Sequence, residues 1–303
     1  MQSSRYSNLT TIRTSADRLG RDRWSDFLYT SRFASALGAW PFTDNFMSAE
    51  TTNLLIATLS AGPVGLGDAL GAISGPNLLR AVRRDGVIVK PDVPLTPIDS
   101  SYASMAHGVD TPQIASTYSD FGALRTHYVF AYAHGSNSNL QATFSPSDLG
   151  VDRPMYLYDY FARSGQVVNP SDILRRPIVG DALYLVLAPI GPSGMAVLGD
   201  ADQFVTLGKK RVPALVDDGA VHLTVAFANG ETTRVIKGYS PLLPAAIATA
   251  GSIGRLTYDA ATLQFQIPVM PGPDGTASIL IKRTRSRAGR PVGPRPIGAG
   301  EVR

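Results

Sequence analysis

Three aspartates, Asp17, Asp44 and Asp68, each stand at or just past the end of a short apolar run. Carboxylates in such equivalent places suit a polar substrate pocket, because the loops at C-terminal strand ends vary while the strands hold them rigidly. A second role is open to each of them, since Asp between a strand and a helix is the ordinary helix N-cap. The chemistry that carboxyl groups do best in pairs is glycoside hydrolysis. One protonates the leaving oxygen and the other attacks or activates water from the opposite side, so a single strand-end Asp supplies half of the machinery.

Other chemistries lack their residues. His107, His127, His134 and His222 are scattered, with no HExxH or paired-ligand spacing, and no metal site is expected. The run GPVGLGDALG is glycine-rich but lacks the lysine of a phosphate loop and the spacing of a dinucleotide fingerprint, and there is no GxSxG elbow. Nucleotide chemistry is disfavoured and no cofactor is expected. With no cysteine, the chain has neither a disulfide framework nor a thiolate nucleophile.

The elements that must position the aspartates alternate. Leu9 to Thr14 reads as a strand followed by Ser15-Ala16-Asp17. Trp24, Phe27, Leu28 and Ser31 fall at i, i+3, i+4 and i+7, which predicts an amphipathic helix to about Phe33. Ala36 to Trp40 reads as a second strand ended by Pro41, with Asp44 in the loop beyond. A helix starts near Ser48, Gly62 closes it, and Pro63 to Asp68 reads as a short buried parallel strand. Ser74 is placed to cap a further helix that Gly86 stops. Residues 1–90 are thus three strand-helix units. After Lys90 short strands separated by Pro, Gly, Asp and Asn predict a β-sandwich. Its aromatic strand MYLYDYF has two readings, a core strand or a platform for sugar stacking.

With 303 residues, 44% hydrophobic and 17% charged, the chain is long enough for two domains with real cores. The net charge of +4 is uneven: Lys282, Arg283, Arg285, Arg287, Arg290, Arg295 and Arg303 face only Glu301 at the C-terminal end. A Gly/Pro-rich tail without aromatics predicts a solvated, disordered segment, and no nucleic-acid partner is expected. No apolar run approaches the ~20 residues of a membrane span, so no membrane association is expected. The first residues have no apolar signal-peptide core, and the compartment is left open.

LLIATLSAGPVGLGD (54–68) followed by NLLRAVRRDGVIVKPDVPLTPIDSSY (77–102) resembles the end of the catalytic barrel in the raffinose synthase and seed imbibition group of glycoside hydrolase family 36. RTSAD (13–17) is similar to that group's R-x-S-D-D motif on the sixth barrel strand, and FTDNF (42–46) to the loop after the seventh. FSPSDLGVDRPMYLYDYF (144–161) is similar to a strand pair in the C-terminal β-domains of α-galactosidase-like enzymes. The resemblance implies an α/β plus all-β chain. Residues 1–90 would be the last three βα units of a TIM-type barrel, 91–126 a connecting segment, 127–283 an antiparallel C-terminal β-sandwich and 284–303 a basic tail.

It implies a retaining enzyme acting on an oligosaccharide of the raffinose type, an α-galactoside. Asp17 would be its acid/base, with Arg13, Trp40, Asp44 and Asp68 in the substrate pocket; Trp40 has a structural reading as well. Ala16 departs from the motif's first Asp. The family's nucleophile lies on the fourth barrel strand, whereas the resemblance here starts just before the sixth. Strands six to eight alone would leave two open edges. The expectation is therefore the C-terminal portion of a longer enzyme, inactive alone. The competing expectation is a non-catalytic carbohydrate-binding or interaction β-sandwich. Oligomeric state is not legible.

Overall fold

The computed structural model describes residues 9–133 and 140–283; His134 and the basic tail from residue 284 lie outside the described residues. The chain enters as a strand-helix-strand unit. β1 (Thr11–Arg13) leads through a 3-10 turn at Arg21–Arg23 into α1 (Trp24–Ala36), and β2 (Trp40–Phe42) returns to pair with β1 in parallel, Thr11 opposite Trp40 and Arg13 opposite Phe42. Trp24, Phe27, Leu28 and Ser31 are buried, as the spacing predicts.

The strand expected over Ala36 to Trp40 lies later in the chain. The helix runs on through Ala36 and turns at Gly38, where φ is +73°, so pairing begins only at Trp40 and includes Pro41. Proline is tolerated because Trp40 N–H and the Phe42 carbonyl serve β1, bonding to Thr10 O (2.8 Å) and Thr14 N (3.0 Å). Pro41 faces the other way, and there the missing N–H costs no ladder bond.

On that other side lies the third expected strand, and it is a strand in only one contact. Residues 62–68 make a single parallel bridge, Leu66 to Phe46. The physical reason is composition: Gly62, Gly65 and Gly67 give little to pack and Pro63 donates nothing. Gly62 nonetheless comes so close that a Cβ there would lie 2.0 Å from the Pro41 carbonyl oxygen. The described residues thus contain a parallel pair with a bridged third segment and no barrel. α2 (Thr51–Leu59) is buried along Asn53 to Leu59, and α3 (Gly75–Leu78) is one turn.

Regular structure resumes inside 91–126, the stretch with little sequence pattern. β3 (Thr96–Pro97), α4 (Asp99–Ala106), β4 (Gln113–Phe121), β5 (Leu124–Tyr132), β6 (Gln141–Phe144), β7 (Met155–Asp159), β8 (Ser164–Val168), β9 (Leu174–Pro177) and β10 (Leu183–Pro189) follow. They build a six-stranded antiparallel sheet in the order β3-β4-β5-β10-β7-β8, with β6 and β9 paired apart from it. Its central strands are buried on both faces. Tyr128, Phe130, Tyr132, Tyr156, Tyr158 and Tyr184 pack against α1, α2 and their loops, so MYLYDYF is largely core. Val129, Ala131, Leu157, Leu183, Leu185 and Leu187 pack on the opposite side with Ala142, Phe144 and Leu174 of the β6–β9 pair.

A true sandwich follows: β11 (Ala196–Asp200), β12 (Ala214–Asp217), β13 (Val221–Ala226), β14 (Arg234–Tyr239), β15 (Pro244–Ala250), β16 (Ser252–Ile253), β17 (Thr257–Asp259), β18 (Gln264–Met270) and β19 (Thr276–Arg283). The sheet β11-β14-β18-β16, with β17 on β18, faces the sheet β12-β13-β19-β15. Val197, Ile236, Phe265, Ile267 and Val269 meet Leu215, Leu223, Val225, Ile279 and Ile281 between them. The β region is therefore a sandwich plus a further sheet that reaches back to Thr96.

Candidate functional site

The parallel pair carries the first cluster. Arg13 ends β1, and its guanidinium bridges the loops beyond both strands, with Nη2 2.6 Å from Asp17 Oδ1 and Nη1 3.2 Å from Asp44 Oδ1. The loop after β2 is tied back by two further bonds: Arg18 N–H donates to Asp44 Oδ2 (2.8 Å) and Asp44 N–H to Ser15 Oγ (2.6 Å). The Arg18 N–H above all, then Asn45 N–H and the nearby Arg13, hold the Asp44 carboxyl below the usual carboxylate range. Both Asp44 oxygens are thus engaged. Asp17 is different: its side chain is 89% exposed, and one oxygen meets Arg13.

Asp68 makes a separate group. Its Oδ2 accepts the Ser48 N–H and its Oδ1 the Ser48 hydroxyl, each at 2.8 Å, while Ser48 Oγ takes the Ser74 N–H at 2.7 Å. Asp68 therefore staples the segment entering α2 to the segment entering α3. None of the three aspartates is a helix N-cap; those positions belong to Arg23, Glu50 and Ser74, and Ser74 makes no side-chain cap bond. Ser48 is fully buried, so Ser48→Ala is expected to cost about 1–3 kcal/mol by leaving Asp68 and the Ser74 N–H short of partners. The midpoint of urea unfolding reads this directly.

Trp40 is half-buried, and Lys90 Nζ sits 4.5 Å from its ring centroid while donating to Ala61 O at 2.6 Å. Burial, then Lys210, lowers the Lys90 pKa. One face of the indole is therefore taken by a cation, which leaves at most the other for a sugar. Arg13, Asp17 and Asp44 come together; Asp68 and Trp40 each have partners of their own.

Beside the first cluster opens a cleft of about 470 Å³ lined by Arg18, Arg21, Trp24, Glu50, Asn53 and Asp181 among others. It is polar and braced: Trp24 Nε1 donates to Asn53 Oδ1 (2.8 Å), Asn53 Nδ2 to Leu19 O (2.9 Å) and to Glu50, and Arg21 meets Asp181 at 3.6 Å. Arg18 joins the two features, its backbone on Asp44 and its residue in the cleft wall. Arg18 and Glu50 carried no motif. Arg18 holds φ at +59°, a conformation in which only its loop's geometry, invisible in sequence, places it. Among the described residues no three His, Asp or Glu side chains group as metal ligands, and no helix is long and apolar enough to cross a membrane.

No family model matches the chain, and no curated protein matches it. Solved structures that match part of the chain include the following. A family 27 β-L-arabinopyranosidase from Geobacillus stearothermophilus, solved also in complex with arabinose, has a TM-score of 0.43 and 15% identity over 62% of this chain and 47% of its own. A Bacillus halodurans protein assigned as an α-N-acetylgalactosaminidase gives 0.32 and 15% over 48% of this chain and 33% of its own. Isomalto-dextranase from Arthrobacter globiformis T6, complexed with panose, gives 0.32 and 12% over 80% of this chain and 47% of its own. The chain spans about half the length of the arabinopyranosidase.

Proposed function

We propose that the chain is the sugar-binding part of a retaining α-galactoside-processing enzyme of the raffinose type, with Asp17 as the group that would serve as acid/base. The observation that carries this reading is the bridge from Arg13 to Asp17 and Asp44 across two adjacent parallel strand ends, beside a polar cleft. Strand ends of this kind are where α/β enzymes hold substrate. The RTSAD and FTDNF motifs, on which the family resemblance stands, fall on this bridge.

Retaining hydrolysis needs a free carboxylate nucleophile as well as an acid/base. Within the bridge Asp44 does not fit that role, because Arg13 and the Arg18 N–H occupy its two oxygens. Asp17, for its part, must leave Arg13 before it can hold a proton for the glycosidic oxygen. The purified chain is therefore expected to release no p-nitrophenol from an aryl α-galactoside. Turnover that Asp17→Asn abolishes would show that a nucleophile is present in the chain and overturn the expected inactivity, while turnover indifferent to Asp17→Asn would overturn the acid/base role of Asp17. The same ion pair favours the second reading, a carbohydrate-binding module without catalysis. Raffinose binding that survives Asp17→Asn unchanged is its signature.

A further inference from the structure

A second cleft, of about 310 Å³, shares no lining residue with the Arg13 bridge or the cleft beside it. α3 and the residues just after it, the turn between β7 and β8, the turn that follows β11 and the first residue of β14 line it. Three arginines line it, Arg80, Arg163 and Arg234, against one carboxylate, Asp202. Arg234 is already committed: its Nε and Nη2 both lie 2.7 Å from Asp200 Oδ2 at the edge of the buried ion-pair network. Arg80 and Arg163 are within ion-pair distance of no carboxylate among the described residues. Cations gathered in a concave site without matching acids repel one another and concentrate anions from solution.

The turn that presents Arg163 sharpens the point. Asp159 Oδ1 accepts the N–H groups of Phe161 (3.1 Å) and Ala162 (2.9 Å), which fixes the turn, and Arg163 then takes φ of +54°. Glycine or asparagine would adopt that conformation with less strain. A strained backbone that carries an unpaired guanidinium into a cleft is the kind of outlier that marks a site. The cleft also has an apolar wall, since Phe161 and Leu79 are 46% and 45% exposed there.

We propose that this cleft binds an acidic carbohydrate, a uronic acid residue whose carboxylate is held by Arg80 and Arg163 and whose apolar ring face lies on Phe161 and Leu79. Forked guanidinium donors match a carboxylate, and an aromatic edge or face suits the C–H side of a pyranose. The sugar half rests on the carbohydrate reading above, whereas the anion half does not.

The test is calorimetric titration of the purified chain at low salt with three probes: tri-galacturonate, neutral galactotriose and inorganic phosphate. Tri-galacturonate is expected to bind at least tenfold more tightly than either of the others. Arg163→Gly is expected to weaken it at least tenfold while the thermal midpoint holds or rises, because glycine is at ease at positive φ. Arg80→Gln is expected to act in the same direction. Binding of phosphate as tight as the trisaccharide would reduce the cleft to a simple anion site and overturn the proposal. Equal binding of galactotriose, or binding indifferent to Arg163→Gly, would overturn it too. Raffinose binding at the Arg13 bridge is expected to ignore Arg163→Gly, so the two readings fail separately.

Discussion

Arg211→Met is expected to destabilise the protein by about 3–5 kcal/mol, the largest effect of any single side chain described. Arg211 is fully buried, and so are Asp200 and Gln203 beside it. Its guanidinium meets Glu231 at 2.6 and 2.8 Å and Asp200 at 3.4 Å, and it donates to Ala226 O at 2.8 Å. Methionine fills the space but leaves Glu231, whose side chain is 7% exposed, without its cation. Around this network the N-terminal half is fastened to the sandwich. Gln203 Nε2 donates to Val82 O at 3.1 Å, Phe204 N–H to Arg80 O at 2.7 Å, and Arg84 Nη1 to Gly230 O at 3.0 Å. Loss of the network is therefore expected to loosen both halves together in one transition.

The same network sets a pH dependence. Burial pushes the Glu231 carboxyl up, but Arg211 and the Ala228 N–H outweigh it and hold the pKa down at about 2, against an ordinary value of 4.5. A depressed carboxylate contributes stability above its unfolded pKa and loses it as pH falls through the folded one. The contribution, about 3 kcal/mol at neutral pH, is expected to disappear between roughly pH 4.5 and 2. Asp200 works against this. Burial raises its pKa, with Arg234 and Arg211 only partly offsetting, so its ionisation costs stability at neutral pH and mild acid relieves the cost. Unfolding midpoints measured against pH are expected to hold or rise slightly on mild acidification and then fall steeply. Glu231→Gln is expected to flatten the fall.

Gly62→Ala is the second large effect, about 3 kcal/mol of destabilisation. The new methyl would lie 2.0 Å from Pro41 O, and its neighbour there is backbone, which cannot swing away as a side chain can. The bridged segment must then move off β2, taking Asp68 and its bonds to Ser48 with it. Guanidinium unfolding measures the loss. Gly71→Ala is the control for a glycine change without a clash, since open space surrounds that position and only its positive φ of +81° is strained.

The legible strands are those with a continuous apolar run or a clear apolar alternation, the latter as in Val221–Ala226 and Gln264–Met270. Leu183–Pro189 is buried at every position, and His127 to Ala133 reads as a strand for the same reason. β4 was not legible, because its inward residues are polar. Thr117 and Ser119 point into the core and are satisfied there by Val93 O (2.5 Å) and the Tyr128 hydroxyl (3.1 Å), so a buried strand looked like linker. Arg211 follows Lys209 and Lys210 in the chain, and nothing in that run marks it as interior; only its tertiary pairing does. At the candidate site strand-end position grouped Asp17 and Asp44 but also Asp68, which lies apart on Ser48, and Arg13 was marked only by the resemblance of RTSAD to a family motif. The roles of Ser48 as the partner of Asp68 and of Lys90 as the neighbour of Trp40 were not legible, since both depend on contacts between segments distant in the chain.

The most direct test of the Arg13 bridge as an α-galactoside site is calorimetric titration of the purified chain with raffinose and, separately, with sucrose, which lacks the α-galactosyl group. Raffinose is expected to bind and sucrose to bind at least tenfold more weakly, with the difference lost in Arg13→Ala. Equal binding of the two sugars, or raffinose binding unchanged by Arg13→Ala, would contradict the account.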